Sequence, residues 1–407
     1  MPGPLAHVRV LDLSRVLAGP WAAQNLADLG AEVIKVERPG SGDDTRGWGP
    51  PWLRDGEGQD TKESAYYASV NRNKKSITLD IGKPEGQAIV RELAAKCDVL
   101  IENYKVGTLK RYGLAWEDLK ALNPRLVYCS VTGFGQDGPN AKRPGYDYVF
   151  QGMGGLMSIT GERDGQPGAG PMRVGIAITD VLTGMYASLA ISAALTHCER
   201  TGQGQYIDCA LLDTMVAFNA NQIVGFLVSG KLPVRWGNAH PQVVPYEVFA
   251  TSDGHIILAV GNDGQFQRFC KVAGCPELAA EQRFATNPQR ILHRAELVPI
   301  VAEIMRTRSK QEWIEALEAA TVPCGPINSM KEVFEDPQVI HRGLRVDMEN
   351  TLGSRTPVVA SPMRLSATPV EYRLAPPTLG QHNADVLGGL LGKSDAEIER
   401  LRAAGIL

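Results

Sequence analysis

The chain has 407 residues, 43% of them hydrophobic and 21% charged, with a formal net charge of -3. That is a globular balance, and the length suits one large domain plus a smaller one. The slight acidic surplus argues against a nucleic-acid binder, whose phosphate contacts need an excess of Lys and Arg. It leaves room for a local basic pocket that takes one phosphorylated molecule.

The seven cysteines are scattered and form no Cys-x-x-Cys pair. An odd count without a framework points to reduced thiols, and a cytoplasmic location is expected. The histidines show no metal-ligand spacing, so no metal is expected. The opening MPGPLAHVRVLDLS has no charged-then-apolar leader. No apolar stretch approaches the ~20 residues of a membrane helix, so no membrane contact is expected.

In chain order, residues 7–13 read as a buried strand. Gly19-Pro20 opens a helical pattern, with proline suited to the first helical position. Residues 32–36, 76–80, 98–101 and 125–131 read as further strands. Pro84 starts a helix whose apolar positions Ile89, Val90, Leu93 and Cys97 follow the 3.6 period. Strand and helix alternate, and the strands are too apolar to leave one face in water. The fold class expected is α/β, with a mainly parallel sheet covered by helices.

A long helical pattern runs from Asp180 to about Cys198, followed by a strand at 205–211 and one helix from Asp213 to Val228. Residues 1–228 are assigned to the large domain. Residues 229–335 form a small mixed domain, with a hairpin turning at Ser252-Asp253-Gly254 and a capping box of Ser309 and Glu312. Residues 336–407 are a proline-rich linker and terminal helix that return to the large domain.

Loops at the carboxyl ends of strands are the usual ligand site in such sheets. The first, Ser14 to Pro20, lacks the G-x-G-x-x-G spacing, so a nicotinamide dinucleotide is not indicated. Glu37 and Arg38 read as solvated loop charges. Basic groups recur near strand ends: Arg15, Arg38, Arg72, Lys74, Lys75, Arg111 and Arg143. Gly152, Gly154 and Gly155 serve either close approach to an acyl group or tight helix packing. Gly237-Asn238-Ala239-His240 is a lid or a connection.

Asp180 lies between an apolar run and a helix. It is either a helix N-cap or a carboxylate stabilised by the helix N-terminus and aimed at a substrate. In the second case a thioester is its natural partner. Attack gives a mixed anhydride and a thiolate, with no hydrolysis and no metal.

The segments VLDLSRVLAGP, GAEVIKVERPGSGDDTRGW, NRNKKSITLD, IENYKVGTLKRYG, RPGYDYVFQGMGG, TGQGQYIDCALLD, VPCGPINSM and PPTLGQH occur in this order. With them the chain resembles the family III CoA-transferases over nearly its whole length. The resemblance implies an obligate homodimer of interlocked rings, each subunit a Rossmann-like large domain with a smaller domain. It implies a coenzyme A thioester as substrate, with no permanently bound cofactor.

The family's catalytic aspartate matches Asp180. Its CoA site matches Leu17, Ala18, Arg38, Leu79, Asp80, Asn103, Tyr104, Arg111, Arg143, Tyr146 and Asp147. Leu17 stands where formyl-transferring members have glutamine, and the lid is not glycine-rich, so formyl-CoA and oxalate are not the expected pair. GNAHPQVVPYEVF and VPCGPINSMKEVFEDPQV resemble the members that use succinyl-CoA with glutarate or hydroxymethylglutarate. Arg173 and His240 are candidates for a distal carboxylate, Arg173 because its fork meets both oxygens.

Two rival readings remain at this level. A 2-methylacyl-CoA racemase needs a histidine where this chain has Tyr146, and a neutral tyrosine is a poor base, with its reference pKa of ~10. A non-catalytic CoA-binding protein has no need of Asp180.

Overall fold

The computed structural model describes residues 2–407. They form two units. The first takes in the chain up to Leu156, then Val174–Ser229 and Ile340–Leu407; the second is Met157–Arg173 with Gly230–Val339. Residues 157–173, assigned by sequence to the large domain, thus belong to the second unit.

The strands of the first unit are β1 (Arg9–Asp12), β2 (Glu32–Glu37), β3 (Trp52–Arg54), β4 (Asp60–Ser64), β5 (Lys74–Thr78), β6 (Val99–Glu102), β7 (Val127–Thr132) and β8 (Tyr206–Ala210). Six of them build one sheet in the order β5-β2-β1-β6-β7-β8, every neighbouring pair parallel. The order reverses between β1 and β6. That reversal opens a crevice beyond the carboxyl ends of these two strands.

The helices that matter here are α1 (Ala18–Asp28), α2 (Ala65–Ala68), α3 (Pro84–Ala94), α4 (Asp147–Met153), α5 (Ile178–Thr201), α6 (Leu211–Phe218) and α7 (Ala220–Ser229). Successive strand residues face opposite sides, which explains the continuous apolar runs. Leu11, Ile34 and Leu100 pack with Ile89, Val90 and Leu93 of α3. Val10, Val33 and Val99 pack with Ala22 and Leu26 of α1 and with Ala187 and Ile191 of α5.

The carboxyl-terminal stretch seals the β5 edge. The Ser76 carbonyl accepts from the His382 amide at 2.9 Å, and the Asp80 amide donates to the Ile406 carbonyl at 2.8 Å.

The second unit has a three-stranded antiparallel sheet of Tyr246–Ala250, His255–Ala259 and Cys324–Pro326. The hairpin turns at 252–254, where the Thr251 amide donates to the Gly254 carbonyl at 2.9 Å. Ser309 and Glu312 form the capping box. The helix they start brings Trp313 into a core with Phe249, Phe266 and Phe269.

Three local expectations are corrected. Strand β5 begins at Lys74 rather than at residue 76. The helix expected over 213–228 is two helices, α6 and α7, bent by 74°. The break falls at Ala220, whose φ is 42°. Helix α5 is 24 residues long and apolar enough to cross a membrane by length and composition. Here it is a core helix: its buried face, including Ala187, Ile191 and Ala194, lies against α1 and the sheet.

Candidate active site

The loop after β1 is held from below by buried charge. The Lys35 ammonium lies 2.9 Å from the Asp43 carboxylate, both side chains fully buried. It also donates to the Ser14 carbonyl at 2.9 Å. The Lys74 ammonium pairs with Asp12 at 3.0 Å and donates to the Pro20 carbonyl at 2.9 Å. Burial alone would raise the Asp43 carboxyl. The charge of Lys35, with hydrogen bonds from Lys35 and Thr45, outweighs burial and holds it at about 2.

Asp43 then does a second job. Val16 has a φ of 70°, a costly conformation for a β-branched residue. Both Asp43 carboxylate oxygens accept from the Val16 amide at 3.2 Å. Across the crevice, the Arg15 amide donates to Asn103 Oδ1 at 3.0 Å, and Asn103 Nδ2 donates to the Arg15 carbonyl at 2.7 Å. The loops after β1 and β6 are therefore tied together where the strand order reverses.

A cavity of about 570 Å³ opens there. Its walls come from the β1 loop and the start of α1 (Arg15, Val16, Ala18), from the β6 loop (Asn103 to Val106, Thr108, Arg111), and from residues 141–146. Asp180 is part of the wall. Arg15, Lys105, Arg111, Lys142 and Arg143 give the cavity a cationic lining. A second cavity of about 250 Å³ shares Arg15, Asp44, Tyr104, Lys105 and Thr108 with the first and adds Arg38 and Tyr112. Together they form a basic groove suited to several phosphates, ending at a carboxylate.

Asp180 sits in the first turn of α5, whose N-cap position is Ala177, with no side-chain cap bond. The cap comes from elsewhere. Asp147 of α4 accepts from the Thr179 amide at 2.7 Å. Asp180 thus does not cap its own helix, and no hydrogen bond or ion pair from the described residues engages its carboxylate. Burial, and then the negative charge of Asp147, push its carboxyl up to about 7. Tyr66 of α2 lies close enough to register both acids. Burial, then Asp180, then Asp147 raise its phenol to about 12.

Close packing sets the position of α5. A Cβ on Gly184 would come within 2.6 Å of the Ala18 carbonyl oxygen and 3.0 Å of the Trp21 Cβ. Only glycine lets α5 approach the start of α1 so nearly.

Of the residues singled out by sequence, Ala18, Asn103, Tyr104, Arg111, Arg143, Tyr146 and Asp180 line the larger cavity, and Arg38 lines the smaller one. Leu17, Leu79, Asp80 and Asp147 line neither. Leu17 and Leu79 are buried apolar residues. Asp80 accepts from the Gly82 amide at 3.0 Å in the turn before α3.

Glu37 is not a solvated charge. It is buried and bonded to Arg46 at 2.7 and 2.8 Å, to Tyr67 and to Ser76. The recurrent basic residues divide in two. Arg15, Arg38, Arg111 and Arg143 face the cavities. Arg72, Lys74 and Lys75 are structural, paired with Asp28, Asp12 and Glu32. Within the glycine run, Gly154 serves packing, since a Cβ there would meet Met215 Cγ at 2.3 Å.

Sequence reasoning missed Lys105, Thr108, Lys142 and Tyr66. Lys105 and Thr108 follow β6 directly, so the strand-end rule that selected Asn103 extends to them. Tyr66 carries no local signal.

Comparison with known proteins agrees with this geometry. The family described as "CoA-transferase family III" matches residues 5–383. A succinate–glutarate CoA-transferase of Agrobacterium fabrum is 52% identical over 95% of this chain and 96% of its own length. A human succinyl-CoA:glutarate CoA-transferase is 46% identical over 99% of this chain and 90% of its own. The crystal structure of a CAIB/BAIF family protein from Brucella suis, 46% identical, covers 96% of this chain and 100% of that one with a TM-score of 0.84. The basic groove, the free aspartate at its end and these likenesses over full length have one explanation: the chain belongs to family III of the CoA-transferases.

Proposed function

We propose that this enzyme moves CoA from succinyl-CoA to a short dicarboxylate such as glutarate, with Asp180 as the covalent nucleophile. The observation that carries the reading is the Asp180 carboxylate, unbonded by the described residues, in the wall of a cationic cavity. The names of the relatives supply the acids.

The steps balance without a further reactant. An Asp180 oxygen attacks the thioester carbonyl, the C–S bond breaks, and CoA leaves as thiolate. The product is a mixed anhydride. The thiolate then attacks the Asp180 carbonyl, breaking the C–O bond and releasing succinate. The acceptor carboxylate attacks the resulting aspartyl thioester, expelling the thiolate and forming a second anhydride. The thiolate then attacks the acceptor's carbonyl, breaking its C–O bond and releasing the free Asp180 carboxylate with the new CoA thioester. Each step exchanges one activated acyl group for another, so the thioester free energy is conserved. The cations of the groove bind the CoA phosphates and hold the thiolate's carrier in place between steps.

Arg173 and His240, the residues the sequence singled out for a distal carboxylate, both belong to the second unit. There His240 Nδ1 accepts from the Gln242 amide at 3.0 Å. Burial, and then Arg294, lower the ring's proton affinity. The neutral ring therefore carries its proton on Nε2, a hydrogen-bond donor.

We further propose that the enzyme works as a homodimer. Helix α7 contains Ile223, Val224, Phe226, Leu227 and Val228, yet none of its residues is buried. Leu227 is 73% and Val228 83% exposed. A short helix that buries nothing gains no tertiary stabilisation, and a second copy supplies the missing cover.

Asp180→Ala tests the assignment. The variant is expected to bind succinyl-CoA within about threefold of wild type and to lose transfer by at least ~10³-fold. Calorimetric titration and a coupled assay check this. Substantial remaining turnover would remove Asp180 from the mechanism.

A further inference from the structure

Helix α5 is capped from outside. Its N-cap residue, Ala177, has no side chain for the task. Neighbouring groups that could cap locally do not: Thr179 Oγ1 is buried without a partner, and Asp180 stays free. Helix α4 does the work. Asp147 accepts from the Thr179 amide at 2.7 Å, and its other oxygen accepts from Gln151 Nε2 at 2.6 Å. Gln151 Nε2 also donates to the Ile176 carbonyl at 3.2 Å, and its Oε1 accepts from the Val174 amide at 2.9 Å. Both side chains are buried, Gln151 fully and Asp147 at 7% exposure. Two residues one turn apart on α4 thus clip the segment 174–179 that delivers Asp180 to the cavity.

We propose that Asp147 is a positioning residue for Asp180. It takes over the capping of α5 so that the Asp180 carboxylate remains unbonded, and it keeps a like charge beside that carboxylate. The inference rests on Asp180 being the nucleophile.

The chemistry follows from charge. Ionised Asp180 faces the charge of Asp147 from α4, and the phenol of Tyr66 on α2, raised by burial and then by the two acids, is neutral near pH 7. Arg15, Lys105, Arg111, Lys142 and Arg143 line the same cavity. What perturbs Asp180, however, is burial first and Asp147 second. When Asp180 attacks a thioester, its anionic charge moves to the departing thiolate, and the repulsion from Asp147 is relieved. The ground state is raised and the acylated state is not, which lowers the barrier to attack. The cost is a nucleophile that is partly protonated at neutral pH.

The test is the pH dependence of kcat/KM for CoA transfer from succinyl-CoA to glutarate, from about pH 5 to about pH 9. It compares wild type, Asp147→Asn and Asp147→Glu. In wild type the acidic limb is expected near neutrality. In Asp147→Asn it is expected to move down by at least about half a pH unit, with a several-fold lower plateau. Asp147→Glu is expected to restore the limb.

A variant whose profile is lower but has an unmoved limb makes Asp147 merely structural and overturns the proposal. A second measurement needs no change at position 147. Infrared difference spectra of wild type against Asp180→Asn are expected to show a protonated carboxyl that persists to about pH 7; its loss by about pH 5 would also overturn the proposal. Neither failure touches the nucleophile assignment, which stands or falls with transfer by Asp180→Ala.

Discussion

Asp180, the proposed nucleophile, is held in a state that costs stability. Its carboxyl is raised from 3.8 to about 7 in the folded chain, by burial first and Asp147 second. The folded state therefore holds a proton that the unfolded state releases between about pH 4 and pH 7. Stability attributable to this group is present at acid pH and is lost as pH rises through the folded value. Asp180→Asn mimics the protonated form. It is expected to leave the melting temperature unchanged near pH 4 and to stabilise the protein by roughly 2 kcal/mol at pH 8, about half the full linkage because the group is only partly buried. Thermal melts at the two pH values check this. Equal effects at both would show that Asp180 is not strained in the native state.

At the scale of elements, the approach of α1 to α5 matters most. Gly184→Ala adds a methyl group that would lie 2.6 Å from the Ala18 carbonyl oxygen. Alanine favours a helix by about 1 kcal/mol over glycine, but overpacking against backbone costs about 1–3 kcal/mol. The expected net result is a modest loss of stability in urea melts. A larger loss of kcat/KM is expected, because Ala18 and Asp180 share the cavity wall. A more stable and fully active variant would contradict the packing argument.

The legibility of these elements in the sequence followed the same physics. Strands β1, β2, β6 and β7 were readable because their apolar runs are buried on both faces; the edge strand β8 instead alternates exposed and half-buried residues. The start of β5 was not, because Lys74 reads as a solvated charge while its ammonium is buried against Asp12. The break between α6 and α7 has no Gly or Pro to announce it. It is fixed by Asn219, whose Nδ2 donates to the Gly154 carbonyl at 2.6 Å, a long-range contact. Hairpin β3–β4 is polar and lacks an apolar alternation. Asp180 itself was ambiguous locally, since its relief from capping depends on Asp147, 33 positions earlier in the chain.

At the scale of the whole molecule, the proposed dimer would cover apolar surface of the first unit. On α5, Met185, Tyr186 and Leu189 are exposed at 48%, 49% and 66%, in addition to the bare face of α7. Light scattering is expected to report a dimer for the wild type. Leu227→Glu is expected to yield monomer or aggregate, with the loss of most activity. A fully active monomeric wild type would remove the dimer from the account. The seams of the fold thus divide labour: the strand-order reversal builds the basic groove, and α4 and α5 deliver the carboxylate to its end.

The central claim is that Asp180 becomes an activated acyl group during turnover. Mixing enzyme with succinyl-CoA, quenching with hydroxylamine and mapping peptides by mass spectrometry tests it most directly. A hydroxamate on the peptide that carries Asp180, absent without succinyl-CoA, is the predicted result. An unmodified Asp180 in enzyme that is transferring CoA at full rate would contradict the account.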